Sequence, residues 1–469
     1  MDPELLSRIQ FALTASFHFI YPPLSMGLGT MLVILGIIYL RTKDPKWRQL
    51  SFFWVKVYAL IFAVGVATGI VQEFEFGTNW ANYSRFVGNV FGSLLAAEGI
   101  FAFFLEGGFL GLMLFGGNRL GPRMWFIATF LVVFGAHFSA LWIVMANSWM
   151  QTPAGYAIQS TPEPVRAVMT NFWEVMFTPS FLPRIGHVFM ASGTAGAALM
   201  LSVSAWYLLK KKHVELAKAN LKVALPFFFI FAAINLFVAG PIQAIEVTNY
   251  QPLKLASMEG LWETQSCAPL MIVGWVNEAE QTTTGISVPC LLSILAYQNP
   301  QAVVQGLDAF DPDLYPPINL VFQVYHLMFN LAVVFPIIGA LGILFYFWKR
   351  KVFHSRFVLW LFVITIFMAE VAVISGWWTA EIGRQPWVVY NVLQTADAVS
   401  PSITGEMVAA SLFMFIALYS LLFILFLFLL NAKIQKGPEP LEEVETAAVS
   451  SLPNTFREVF RRRNAPRAG

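Results

Sequence analysis

The chain has 469 residues, of which 57% are hydrophobic and 12% charged, against about 25% charged for an average soluble chain. A soluble protein of this length would need far more charge to cover its surface, so composition places the chain in a lipid bilayer. A net charge of +2 points to neither nucleic acid nor an acidic substrate. Two cysteines, Cys267 and Cys290, are too few for an iron–sulfur cluster or a Cys-based zinc site.

The first stretch, MDPELLSRIQFAL, lacks a basic start and a small-residue cleavage site, so the first helix is expected to be retained. A helix needs about 20 apolar residues to cross the hydrocarbon core. On that basis spans fall near 14–40, 52–72, 91–115, 124–148, 183–209, 221–241, 317–347, 355–377 and 405–431. The fold class is therefore an all-α integral membrane bundle of about nine helices, and residues 1–431 form one polytopic domain. Basic segments (RTKDPKWR, NRLGPR, KKKHVELAKANLK, KRKVFHSR and the tail) alternate with loops poor in Lys and Arg. Basic loops face the cytoplasm, which puts the N-terminus outside and the C-terminus inside. The longest polar insert, 242–316, is then external and of a length that suggests function. Cys267 and Cys290 lie in it, where a disulfide is permitted, and their pairing is an open expectation. The tail, 432–469, reads as cytoplasmic and disordered, its terminal Arg cluster suited to anionic lipid.

Ionisable groups inside spans are costly and are functional candidates by default. At about 1.5 Å rise per residue, His18, Glu98, His187, Met328 and Glu381 fall in one outer-half layer, with Glu106 two turns below Glu98 and His137 near mid-depth. Each has a plainer reading: a helix–helix hydrogen bond for a His, packing for a Met, an ion path for a Glu. The shared depth favours cofactor ligation, because His and Met hold low-spin haem axially. Composition and depth leave two classes open, a haem-bearing redox protein and a proton- or ion-coupled transporter.

Several stretches resemble the large subunit (subunit I) of cytochrome bd-type quinol oxidases, along nearly the whole chain to about residue 431. They are SRIQFALTASFHFIYPPLSMG (7–27), GVATGIVQEFEFGTNWANYSRFVGNVFG (65–92), LLAAEGIFAFFLEGGFLG (94–111), FSALWIVMANSWMQTPAGY (138–156), QPLKLASMEGLWET (251–264) and GWWTAEIGRQPWVVYNVL (376–393). The modest external loop resembles the short-loop, cyanide-insensitive-like branch.

The resemblance implies a terminal quinol:oxygen oxidoreductase of a respiratory chain in the bacterial cytoplasmic membrane. It implies a low-spin haem b, a high-spin haem b and a haem d, although haem type is set by biosynthesis and not by the ligating side chain. His187 and Met328 match the axial pair of the low-spin haem. His18 and Glu98 match ligands of the high-spin pair, and which haem each one holds stays open. Glu381 matches a carboxylate beside that pair, either ligand or proton carrier; a salt bridge to Arg384 is the plain alternative. Arg384 and Trp377 are carried over as cofactor-binding, Arg384 for a haem propionate. Glu106 suits a proton relay towards the cytoplasm, which Ser139 and His137 could extend. Lys254 and Glu259 match the quinol site, a carboxylate to accept a proton and an ammonium to orient the headgroup; in isolation they would read as ordinary solvated surface. The family commonly has Arg where this chain has His326, two residues before Met328, and the two point about 200° apart on a helix. Partners implied are a second membrane subunit and, in some members, a small single-span subunit, with quinol and oxygen as substrates and no nucleic acid. Ubiquinol and menaquinol are not distinguished.

Overall fold

The computed structural model describes residues 2–99, 104–117, 119–161, 164–348 and 350–440. Helices α1 (Pro3–His18) and α2 (Tyr21–Thr42) replace the single first span expected at 14–40. The break follows His18 because Pro22 and Pro23 open α2 and cannot donate to the preceding turn. Helix α3 (Pro45–Thr78) starts at Asp44, whose carboxylate accepts from the Lys46 amide at 3.1 Å. The expected third span, 91–115, falls on α4 (Ala81–Ala97) and α5 (Phe104–Phe115), with 100–103 outside the described residues. Helix α6 (Pro122–Gln151) is followed by the hairpin β1 (Tyr156–Gln159) and β2 (Arg166–Met169), by α7 (Phe172–Met176) and by α8 (Phe181–Lys210).

The sixth span is longer than expected. Helix α9 (Val214–Ile234) passes through a π-helical turn (Asn235–Ala239) into α10 (Gly240–Tyr250), so the large loop begins near 251 and not at 242. That loop is folded. It holds α11 (Pro252–Glu259), β3 (Gln265–Ser266), the hairpin β4 (Leu270–Asn277) and β5 (Thr282–Val288), α12 (Leu291–Tyr297), and β6 (Val303–Val304), which pairs with β3. Cys267 and Cys290 are disulfide-bonded and join the start of β4 to α12. Helices α13 (Ile318–Phe347) and α14 (Arg356–Ile382) follow, then the small pair β7 (Trp387–Val389) and β8 (Leu393–Gln394), α15 (Thr395–Ala398) and α16 (Gly405–Lys436).

Among the described residues, eight helical runs are long and apolar enough to cross a membrane. The stretch expected as a disordered tail begins with order. Helix α16 continues to Lys436, Glu439 pairs with Lys56 and Lys436, and Gln49 donates to the Glu439 carbonyl at 3.0 Å. Residues 441–469, with the Arg cluster expected to meet lipid, lie outside the described residues.

The bundle is centred on α2, α3, α8, α9, α13 and α14, which supply most of the largest apolar cluster. Its tightest crossing is α2 on α8. A Cβ on Gly27 would lie 1.9 Å from the Ser192 carbonyl oxygen, and one on Gly196 would lie 2.1 Å from the Gly27 carbonyl carbon. Small residues at such contacts let backbones touch, and dispersion then holds the helices where lipid supplies no hydrophobic drive. A buried polar clasp adds to this: Trp54 donates to Asn220 at 3.1 Å, and Asn220 donates to Ser204 at 2.7 Å, tying α3, α9 and α8. Gly196→Val should push the two helices apart and destabilise the detergent-solubilised protein by about 1–3 kcal/mol or more. A denaturation midpoint equal to wild type would show that the crossing tolerates separation.

Candidate haem and quinol site

One cavity of about 2320 Å³ opens in the half of the bundle that carries the folded 251–316 segment, here called the loop end. It exceeds the ~300–1,000 Å³ of a usual small-molecule pocket by more than twofold. Its wall includes His18, Glu98, Glu106, His187, Met328, Trp377, Glu381, Arg384 and Lys254. Ser139 lines it too, so the structure brings together ten of the residues singled out in the sequence; Glu259, His137 and His326 stand off the wall.

His187 lies ~9 Å along α8 from its loop end, and Met328 ~15 Å along α13. The His187 Nδ1 is buried without a hydrogen-bond partner. The Met328 sulfur occupies space beside Gly376, where a Cβ would meet it at 2.8 Å. His18 ends α1 against α3: its Nδ1 is 2.9 Å from the Thr68 hydroxyl, and a Cβ on Gly69 would sit 3.1 Å from its ring. Such a second hydrogen bond fixes the ring orientation and leaves Nε2 free. Ser139 on α6 donates to Glu98 Oε1 at 2.6 Å. Glu106 is deeper, packed against Gly135 of α6, and accepts from the Tyr58 hydroxyl at 3.3 Å. His137 is used in packing: Nδ1 meets its own helix at Val133 O, 2.8 Å, and Nε2 the Thr30 hydroxyl, 3.3 Å. His326 is engaged at both nitrogens by the carbonyls of Phe322 (2.8 Å) and Met271 (2.9 Å). It therefore secures β4 to α13 while Met328 faces the cavity.

At the loop end of the cavity stands a cluster of charges. Glu381 falls within the last turn of α14, not just beyond the span, and binds Arg384 at 2.5 Å, the salt bridge that its sequence spacing allows. Asn147 and Gln151 of α6 donate to the same carboxylate at 2.8 and 3.4 Å, and Arg184 of α8 donates to Asn147 at 2.8 Å. Trp377 lies on α14 one turn before Glu381, its ring 6.2 Å from that of Phe19. The Arg184 Nε and Arg384 Nη1 atoms are buried without partners.

Lys254 and Glu259 are not solvated surface: each is 2% exposed. Helix α11 places them about 140° apart. Lys254 turns to the cavity and donates to Gln151 at 2.5 Å and Gln251 at 2.8 Å. Burial, then the neighbouring Arg184 and Arg384 charges, push its amine well below the usual lysine range. Glu259 turns towards α13 and β4; its oxygens make no close hydrogen bond, the Tyr325 hydroxyl and the Met271 backbone being the nearest donors. Burial raises its carboxyl to about 8. Tyr325 lines the cavity and so stands between it and Glu259.

Arg184, Glu246, Asn147 and Gln151 belong to this end of the site and were not singled out in the sequence. Arg184 and Glu246 carry the signal that selected His187, an ionisable group at the margin of a span. Asn147 and Gln151 are neutral amides and carry none.

The family described as cytochrome bd terminal oxidase subunit I matches residues 6–438. The chain is 37% identical over 451 residues to a Bacillus subtilis (strain 168) protein named cytochrome bd ubiquinol oxidase subunit 1, covering 94% of this chain and 95% of that one. It is 33% identical to the Escherichia coli (strain K12) cytochrome bd-II ubiquinol oxidase subunit 1, over 93% of this chain and 97% of its relative. The bd oxidase structure from Geobacillus thermodenitrificans superposes with a TM-score of 0.87 at 30% identity, covering 93% of this chain and 99% of that one. These likenesses run the length of the helical bundle and its cavity, and the chain belongs to the cytochrome bd terminal oxidase subunit I family, a family of multi-pass membrane oxidoreductases.

Proposed function

We propose that this subunit oxidises quinol at the loop end, which faces outside the cell, and reduces oxygen to water at a high-spin haem pair within the cavity. The observation that carries this is the pairing of His187, with its unpartnered buried nitrogen, and Met328, seated beside Gly376, on two helices of one large apolar cavity. The residues fit haem. His187 and Met328 would hold the low-spin haem b, and His18 and Glu98 the high-spin haem b and the haem d. Trp377 would pack against these groups and Arg384 would bind a propionate. When bound, these groups carry electrons from quinol and supply the oxygen-reducing centre.

The chain's own polar residues handle protons. Glu259 is a buried acid behind Tyr325, suited to take a proton from a quinol hydroxyl and pass it outward. Glu106 with Tyr58, then Ser139 with Glu98, form polar steps from the tail end towards the cavity, as proton delivery across a dry interior requires. Release at one face and uptake at the other build a gradient without a pump. Membership of the oxidase family sets aside the transporter reading. A second membrane subunit completes the enzyme, as the subunit I designation of its relatives implies, and some family members add a small single-span subunit.

His187→Ala should abolish the low-spin signal in a reduced-minus-oxidised visible spectrum while leaving the high-spin bands largely intact; an unchanged spectrum would mean that the ligand lies elsewhere. For Glu259 the base is the carboxylate, which is the minor form below a pKa of about 8. Quinol oxidation should therefore climb as pH rises through about 8, and Glu259→Gln should remove that limb and lower kcat by ~10²-fold or more. A Gln variant that kept the wild-type pH profile would exclude Glu259 as the acceptor.

A further inference from the structure

Helix α14 carries a second carboxylate on the stripe that holds Trp377 and Glu381. Glu370 lies about three turns below Glu381 and ~20° from it around the helix. The cavity-wall residues of α14 run from Ala369 to Ile382, so Glu370 stands where that helix leaves the cavity. Both of its oxygens are buried, and among the described residues neither has a hydrogen-bond partner. An ionisable group at this depth is costly, and by default it marks a functional site.

Tyr21, the first residue of α2, is fully buried in the bundle and forms part of the cavity wall. Its ring meets those of Phe17 and Phe426 edge-on, with centroids 5.7 and 5.2 Å away, and a Cβ on Gly65 would come within 3.1 Å of its own Cβ. The side chain is therefore held in one place. Its hydroxyl is buried without a partner, and the titratable groups acting on it are Glu370 from α14 and Tyr419 from α16. The Tyr419 hydroxyl is a further buried orphan. Three helices thus turn orphaned polar atoms towards one another, and such atoms are the partners that a bridging water needs. No cation acts on Glu370 among the described residues. A carboxylate ion there would stand uncompensated in an apolar surround, which costs far more than a neutral acid, so Glu370 carries a proton.

We propose that Glu370 and Tyr21 form a proton store for oxygen reduction, on a different wall of the cavity from the Glu106–Glu98 steps. The inference rests on the oxidase reading and deepens it. Each oxygen molecule consumes several protons, and a single entry line passes them one after another. When oxygen is reduced in the cavity, the Tyr21 O–H bond breaks and its proton forms a new O–H bond on the reduced oxygen. The Glu370 O–H bond then breaks, and its proton restores the Tyr21 hydroxyl. Between turnovers the carboxylate takes back a proton by the reverse route, through Tyr21, from the Glu98 side of the cavity. No electron passes through the pair, and over a full cycle it neither gains nor loses a proton.

The test uses the purified holoenzyme with its partner subunit. Glu370→Gln and Tyr21→Phe each remove one proton-bearing group with little change of shape, and the haem spectrum should stay at wild-type values. Oxygen consumption with a short-chain quinol should fall about tenfold in either variant. That is less than the ~10²-fold or more of an unreplaced general acid, because the Glu106–Glu98 line still delivers. The double variant should lose no more than either single one, since the two groups act in series. Time-resolved infrared spectra, taken as reduced enzyme meets oxygen, read the store itself. The C=O band of protonated carboxyls should bleach and recover in wild type, and bleach with lower amplitude in both single variants. Wild-type turnover in a fully haem-loaded Glu370→Gln enzyme would overturn the proposal. So would additive losses in the double variant, an unchanged carboxyl bleach in Glu370→Gln, or haem loss in both single variants, which would assign the pair to structure alone. Failure of the underlying reading looks different: haem-loaded wild-type enzyme that consumes no oxygen with quinol.

Discussion

The Glu381–Arg384 ion pair is the contact on which the loop end of the bundle depends. A carboxylate and a guanidinium in a low-dielectric interior repay their desolvation only when their other hydrogen-bonding sites are filled. Around the carboxylate, the filling and its support come from three other elements. Asn147 and Gln151 reach Glu381 from α6, Arg184 from α8 holds Asn147, and Lys254 from α11 holds Gln151. One pair on the last turn of α14 therefore sets the relative positions of three membrane helices and of the folded segment above them. Removing either partner would strand the other charge and release the segment that carries Lys254 and Glu259.

The cavity depends on a different constraint. Apolar helices in a bilayer close on each other unless side-chain size keeps them apart. On the tail-end side of His187, α2 and α8 do close, to backbone contact at Gly27 and Gly196. Towards the loop end the helices diverge around a volume of about 2320 Å³. Gly69 and Gly376 then have another use, as the surfaces against which the His18 ring and the Met328 sulfur lie. Small residues thus fix both how closely the bundle packs and how two candidate ligands are seated.

The spans were legible because a crossing helix must be long and apolar, and few other sequences look like that. The outer-layer candidates were legible for the complementary reason: an ionisable residue in such a stretch is conspicuous. What escaped were properties made by distant parts of the chain. Lys254 and Glu259 sit in a locally polar stretch and read as surface, yet α6, α13 and β4 bury both. Gln151 and Asn147 carry no charge, so nothing marks them as the links between Glu381, Arg184 and Lys254. The extension of the sixth span through a π-helical turn was hidden by Pro241, which closes the apolar pattern but is tolerated near the start of α10. The break after His18 was written in the Tyr-Pro-Pro that follows it.

The two faces of α11 bear most directly on how the site works. Lys254 and Glu259 suggest a single quinol grip when read along the sequence. The helix sets them about 140° apart, and each has its own surroundings: Arg184, Arg384 and Glu246 around the amine, Tyr325 and the β4 backbone around the acid. Burial acts on them in opposite senses of charge but to the same end, since both are driven towards the neutral form. A neutral amine and a neutral acid cannot both be resting bases. On the proposed reading, Glu259 must therefore lose its own proton before it can take one from quinol.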